Sequence, residues 1–235
     1  MKHPDFYACF GGFGKQYWAN LYEPNIDGKC HELTICRVDG ETGRMTVHST
    51  VPDIHNPSTV VVSPDQKYIY AGNEDHDFRQ RGYGGGLTAF RFDMATGRAE
   101  KINDSLAYGS STAYITLDRT GRYIFVANHG SKYYCTRYPV VEGVRRPLVV
   151  RDEGCVCVFA VREDGGIGEL VDRLVLEGTG IDPVEHASAH PHSIVLDDQD
   201  FAVVPNKGGD SIYVCKFDRA ARKLRTLSVY QAEYG

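Results

Sequence analysis

Three features of the sequence predict an all-β chain built as a β-propeller of four-stranded antiparallel blades. One strand–turn–strand unit recurs at a fixed period, a second hairpin follows each copy, and no segment sustains a helical period. The composition agrees, since 25 Gly and 15 Tyr suit short strands joined by tight turns.

The first unit occupies residues 57–73, with Ser63-Pro64-Asp65 in its turn and Tyr70-Ala71-Gly72-Asn73 closing its second strand. It returns 55 residues later at 112–128, through Asp118-Arg119-Thr120-Gly121 to Val126-Ala127-Asn128. A third copy, one residue shorter, spans 191–206 and ends Val204-Pro205-Asn206. Each is strand, polar turn, strand, and each closes on an asparagine.

The second hairpin is an alternating apolar strand, a turn with Asp and Gly or basic residues, then another strand. It occurs at residues 33–39 with Thr42-Gly43-Arg44 and at 87–93 with Thr96-Gly97-Arg98. It occurs again at 155–161 with Asp164-Gly165-Gly166 and at 212–218 with Ala221-Arg222-Lys223. A β-sandwich also alternates strands and turns, but gives no reason for one hairpin sequence to recur at one period. Between Asn128 and Asn206 the spacing stretches to 78 residues. The surplus lies in a Tyr/Arg-rich loop at 130–154 and in 178–189, and loops of that length are functional or disordered.

At about 50 residues per blade, 235 residues supply four to five blades in a single domain. First and last blades left unpaired would expose apolar faces and strand edges. A fragment of a larger ring, a small closed ring and one part of an assembly all fit, with the fragment favoured. Self-association covering those edges is the expected partner interaction.

Charge and cysteine usage narrow the function classes. With 26 Lys+Arg against 31 Asp+Glu the formal charge is −5, which disfavours nucleic acid and acidic lipid. Apolar runs such as 58–62 and 123–127 are strand-length, and Met1-Lys2-His3-Pro4-Asp5 leads into no signal-like stretch. A cytoplasmic protein with no membrane contact is expected. The seven cysteines (Cys9, Cys30, Cys36, Cys135, Cys155, Cys157, Cys215) form no Cys-x-x-Cys and read as reduced thiols. Cys155 and Cys157 should face one side of a strand, each packing on a neighbouring strand rather than binding metal.

On Asn56-Pro57-Ser58, Ser63-Pro64-Asp65, Tyr70-Ala71-Gly72-Asn73-Glu74, Val126-Ala127-Asn128 and above all Ala189-His190-Pro191-His192-Ser193, the chain resembles the lactonase propellers. That family includes bacterial seven-bladed 6-phosphogluconolactonases and, in a related branch, carboxy-muconate lactonizing enzymes. The similarity runs from about Phe6 to the end of the chain. It implies a ring two or three blades larger and hydrolysis of a sugar-acid lactone, 6-phosphogluconolactone first, in carbohydrate metabolism without an organic cofactor. Three local departures stand out: Glu185 where the family carries Arg, His129 in Asn128-His129-Gly130, and Asn206 after Pro205.

Lactone opening is ester hydrolysis, which needs a base for water, a donor for the oxyanion and a grip on the substrate. His190 and His192, on one face of a strand, are the expected base candidates. Glu74 is expected to orient the base or the water. His129, Arg137, His186, Asn206 and Lys207 are the expected substrate-binding residues, with Lys132 a further cation. His129 and Lys207 each follow a repeat asparagine and should occupy equivalent positions in adjacent blades. A zinc site from His186, His190 and His192 matches no standard hydrolase spacing, so no metal is expected. No Gly-x-Ser-x-Gly occurs, and the glycines at 82–86 read as a hairpin connection. The rival readings are a non-catalytic binding platform and a muconate-type cycloisomerase.

Overall fold

The recurring units fold into four antiparallel sheets that follow one another along the chain. The computed structural model describes residues 3–12, 32–75, 78, 84–130, 134–183 and 185–233; Cys30, Lys132 and residues 82–83 lie outside them. The first sheet holds β1 (Phe6–Phe10), β2 (Glu32–Val38) and β3 (Met45–Pro52). The second holds β4 (Pro57–Val62), β5 (Tyr68–Asn73), β6 (Gly86–Asp93) and β7 (Arg98–Leu106). The third joins β8 (Thr112–Leu117) and β9 (Tyr123–Asn128) to β14 (Cys155–Val161) and β15 (Ile167–Val175). The fourth runs β16 (Val195–Leu196), β17 (Phe201–Asn206), β18 (Ser211–Asp218) and β19 (Lys223–Gln231).

The inserted stretch at 130–154 differs from its expected form as a loop. It folds as a ribbon, with β10 (Tyr134–Arg137) paired to β13 (Leu148–Arg151) and β11 (Val140–Val141) paired to β12 (Val144–Arg145). These short strands satisfy their backbone by pairing with one another, and Glu142 and Gly143 turn the tip at positive φ.

Period-two alternation assigns each strand face to a neighbouring blade. On β9, Ile124 and Val126 pack toward the second blade and Phe125 and Ala127 toward the fourth. On β14, Cys157 and Phe159 face the second blade while Val156 and Val158 face the fourth. Both faces of these strands are therefore buried, which explains their continuous apolar runs. The terminal blades lack that cover. Val195, Val203, Leu227, Val229 and Tyr230 are exposed on the fourth sheet, as are Phe6, Met45 and Val47 on the first.

The turns explain why the repeats look alike. In the first hairpin, Ser63, Asp118 and Asp197 each donate their N–H to Tyr68, Tyr123 and Phe201 carbonyls, and Gln66, Gly121 and Asp200 take positive φ. In the second, Asp39, Asp93 and Asp218 accept N–H bonds from the turn that follows. Gly43, Gly97 and Arg222 then occupy the left-handed position, with φ of 69°, 63° and 54°.

Candidate functional site

The site is built where the second strand of each repeat ends. Asn73, Asn128 and Asn206 are buried there, and each side chain clamps backbone. Asn73 Nδ2 donates to the His55 carbonyl, Asn128 Nδ2 to Ala107 and Asn206 Nδ2 to Glu177. The residues that follow, Glu74, His129 and Lys207, donate their N–H to the carbonyls of Asn56, Ser111 and His190 at 2.9, 2.8 and 3.0 Å. Glu74, His129 and Lys207 are therefore equivalent positions on three successive blades.

The segment carrying His190 and His192 is extended, but it forms only an isolated bridge between Pro191 and Asn206 rather than a full strand. Pro191 has no N–H to give a ladder. The two histidines consequently do not share one environment: His190 is 1% exposed and His192 is exposed. They converge instead on His129 of the third blade. The His190 ring stacks on His129 with centroids 4.4 Å apart and planes 9° apart. His192 meets the same ring edge-on, at 5.4 Å and 89°.

His190 is tightly held. Its N–H donates to Asn206 Oδ1 at 2.7 Å, and its Nδ1 lies 2.7 Å from the His129 carbonyl. A carbonyl only accepts, so Nδ1 carries a proton and Nε2 is the lone-pair nitrogen in the neutral ring. His129 is pushed down to a pKa of about 3, first by burial and then by its neighbour His190, with His192 and Lys207 adding to the effect. It is a neutral ring between two others, not a cation for substrate anions.

Glu74 stands on the second blade, linked to this group through backbone: Ser111 donates its N–H to the Asp75 carbonyl, and His129 donates to Ser111. Burial raises the Glu74 carboxyl above its usual range, partly offset by a hydrogen bond from Ser58. Lys207 Nζ lies 2.7 Å from Glu185 Oε2, so Glu185 serves as counter-ion to the lysine.

Two expected binding residues lie elsewhere. Arg137 is exposed on the inserted ribbon, opposite Leu148. His186 is buried with Nδ1 3.6 Å from Asp210 Oδ2, under Gly180, where a Cβ would come within 2.4 Å of Nδ1 and 2.5 Å of Oδ2. Asn206 holds His190 rather than opening to solvent. Asp210 was invisible in the sequence, since it follows Gly208-Gly209 in a left-handed conformation that no motif announces. Among the described residues no group of three His, Cys, Asp or Glu side chains is arranged to hold a metal, and no helix is long and apolar enough to cross a membrane.

The chain has known relatives in sequence and in fold. A 6-phosphogluconolactonase of Formosa agariphila is 24% identical over 188 residues, covering 80% of this chain and 46% of its own length. The solved periplasmic gluconolactonase of Pseudomonas aeruginosa is 25% identical, with TM-score 0.71 over 97% of this chain and 56% of that one. A Lactobacillus plantarum protein superposes with TM-score 0.72 at 20% identity, over 99% of this chain and 55% of that one. The chain thus spans about half the length of these relatives. The model of the family described as "Lactonase, 7-bladed beta-propeller" matches residues 20–235. The chain belongs to that lactonase family, and its described residues form four of the family's blades.

Proposed function

We propose that the protein hydrolyses a sugar-acid lactone, with 6-phosphogluconolactone the first substrate to test, at the strand ends carrying His129, His190 and His192. The observation that carries this reading is the exposed His192 imidazole set edge-on against a neutral, half-buried partner, His129. His192 takes a proton from water, whose oxygen attacks the lactone carbonyl carbon. The ring C–O bond breaks, the leaving alkoxide takes the proton back from the imidazolium, and the open acid remains. His190 and Asn206 are positioning residues that hold the stack. Glu74, with its raised carboxyl, accepts a substrate hydroxyl, and Lys207 receives the anionic end of the substrate.

The pairing of Lys207 with Glu185 favours a second reading, in which the substrate is an unphosphorylated sugar lactone. A phosphate dianion needs a cation, and here the lysine already has a partner.

The test is the rate of opening of freshly generated 6-phosphogluconolactone and of gluconolactone, each corrected for spontaneous hydrolysis. The intact protein should accelerate at least one. His192→Ala, at an exposed position, should fold normally and lose about 100-fold in rate. A folded wild-type sample that accelerates neither lactone would sink the proposal.

A further inference from the structure

Cys155 and Cys157 lie outside the histidine site, and no step above uses them. They stand two apart on β14, so both thiols point toward the second blade, and both are fully buried. Cys155 pairs across the sheet with Asn128 and Cys157 with Arg173, which brings those polar side chains to the same face. The thiols do not part to pack on separate strands. Their sulfurs are 3.9 Å apart, and the Tyr108 carbonyl oxygen lies 3.8 Å from Cys155 Sγ and 3.9 Å from Cys157 Sγ. The centre of this nearly equilateral triangle is about 2.2 Å from each corner, against ~2.3 Å for a metal–thiolate bond.

The surroundings suit negative charge on the sulfurs. Asn128 Nδ2 stands 3.7 Å from one sulfur and 3.6 Å from the other, placed to donate to both. Arg173 donates Nε to the Tyr108 carbonyl at 2.9 Å, which sets its guanidinium beside the triangle. Two thiolates and one monovalent ion carry a net charge of −1, and burial penalises that charge unless a cation and donors face it. The loop supplying the carbonyl is itself strained. Tyr108 and Ser111 hold φ of 56° and 52° without being glycine. Tyr108, Gly109, Glu153 and Arg173 also line a surface cleft, while the two thiols themselves are closed off from solvent.

From this geometry we infer that Cys155, Cys157 and the Tyr108 carbonyl form a three-donor site for a soft, thiolate-seeking cation of the Cu(I) class. Thiolates select such ions over magnesium or calcium, and zinc, almost always four-coordinate in structural sites, finds no fourth donor among the described residues. Binding exchanges the two S–H protons for the ion, releases both protons to solvent and moves no electron. The ion would also pin the Tyr108 loop, whose Ser111 carbonyl accepts the His129 N–H.

The test is anaerobic titration of the full chain with Cu(I) against a coloured Cu(I) chelator, in weak buffer so that proton release is read together with binding. Wild type should retain one equivalent and release about two protons per ion. Cys155→Ser and Cys157→Ser should each lose that equivalent, and Cys9→Ser should keep it. Arg173→Gln, at a partly exposed side chain, should stay folded and weaken binding about tenfold. No retained ion in wild type, an equivalent that survives both serine variants, or unchanged affinity in Arg173→Gln would each overturn the assignment.

Discussion

Lys207 Nζ and Glu185 Oε2 meet at 2.7 Å across the turn that follows the fourth blade's second strand. Glu185 belongs to the 177–189 segment leading into His190, and Lys207 donates its backbone N–H to the His190 carbonyl. The pair therefore borders the histidine stack and sets how much positive charge that border offers. Glu185→Gln should leave stability within about 1 kcal/mol, because both side chains are partly exposed. It should lower the Kd for 6-phosphogluconate roughly tenfold, by freeing one charge-assisted partner for the phosphate. Calorimetric titration of wild type and variant checks this, with gluconate as the unphosphorylated control. Equal gains for both ligands would argue against Lys207 as the phosphate contact.

His129 gives the fold an acid sensitivity with a defined sign. Its pKa is about 3 in the folded chain, lowered first by burial and then by His190, while an unfolded histidine titrates near 6.5. Well above pH 6.5 the residue is neutral in both states and contributes no pH dependence. As pH falls from 6.5 toward 3, the unfolded chain takes up a proton that the folded chain refuses, so stability drops by at most about 1.4 kcal/mol per pH unit. Replacing it by His129→Gln removes that slope. Urea unfolding at pH 7 and pH 5 should show wild type losing about 2 kcal/mol more than the variant over this interval; parallel losses would contradict the depressed value.

Most of this architecture was legible because strand faces and turn chemistry leave local marks. Asn73, Asn128 and Asn206 recur in sequence because each clamps the same backbone position, and Gly43 and Gly97 recur because a turn demands positive φ. The inserted ribbon was less legible, since its strands are short and pair only with one another. The split between His190 and His192 was not readable at all. Period-two logic puts both on one face, but Pro191 breaks the ladder and long-range packing on His129 decides which ring is buried.

The same turn position yields a stabilising change. Arg222 holds φ 54° where its three repeat counterparts, Gly43, Gly97 and Gly165, are glycine. A left-handed backbone costs a side-chain-bearing residue roughly 1 kcal/mol. The opposing loss is its exposed contact with Glu169, worth little. Arg222→Gly should therefore leave stability unchanged or raise it by up to about 1 kcal/mol, in spite of deleting an ion pair. A clear fall in urea midpoint would mean that the ion pair outweighs the backbone strain.

Asn206 tests whether the backbone clamp needs its side-chain amide. Its Oδ1 accepts from His190 N–H and its Nδ2 donates to Glu177 O and Ser211 Oγ, all in a buried setting. Asn206→Leu leaves several buried polar groups without their partner, at about 1–3 kcal/mol for each one left unsatisfied. Asn206→Asp keeps the acceptor and should spare the His190 contact while losing the two donated bonds. Thermal unfolding should rank wild type above Asp above Leu. If Leu melts with wild type, the asparagine is not the clamp its geometry describes.

Arg219 joins the third and fourth blades. Its Nη2 lies 2.9 Å from Asp118 Oδ2, a carboxylate with no exposed surface, and 2.5 Å from Asp200 Oδ1. Burial alone would raise the Asp118 pKa, but the Thr120 hydroxyl, the Tyr123 N–H and Arg219 outweigh it and hold the carboxyl below its usual value. Its stabilising contribution is therefore present above about pH 4 and is lost as pH falls through the lowered value. Arg219→Met removes the cation and leaves a buried charge still solvated by backbone donors, so the loss should be about 2–4 kcal/mol at pH 7. Adding Asp118→Asn to that variant removes the stranded charge and should recover part of the loss. The two single changes and the double then form a cycle whose coupling should reach about 1 kcal/mol or more. Strict additivity in urea unfolding would mean that the blades are held by their apolar faces alone, with the bridge across them energetically idle.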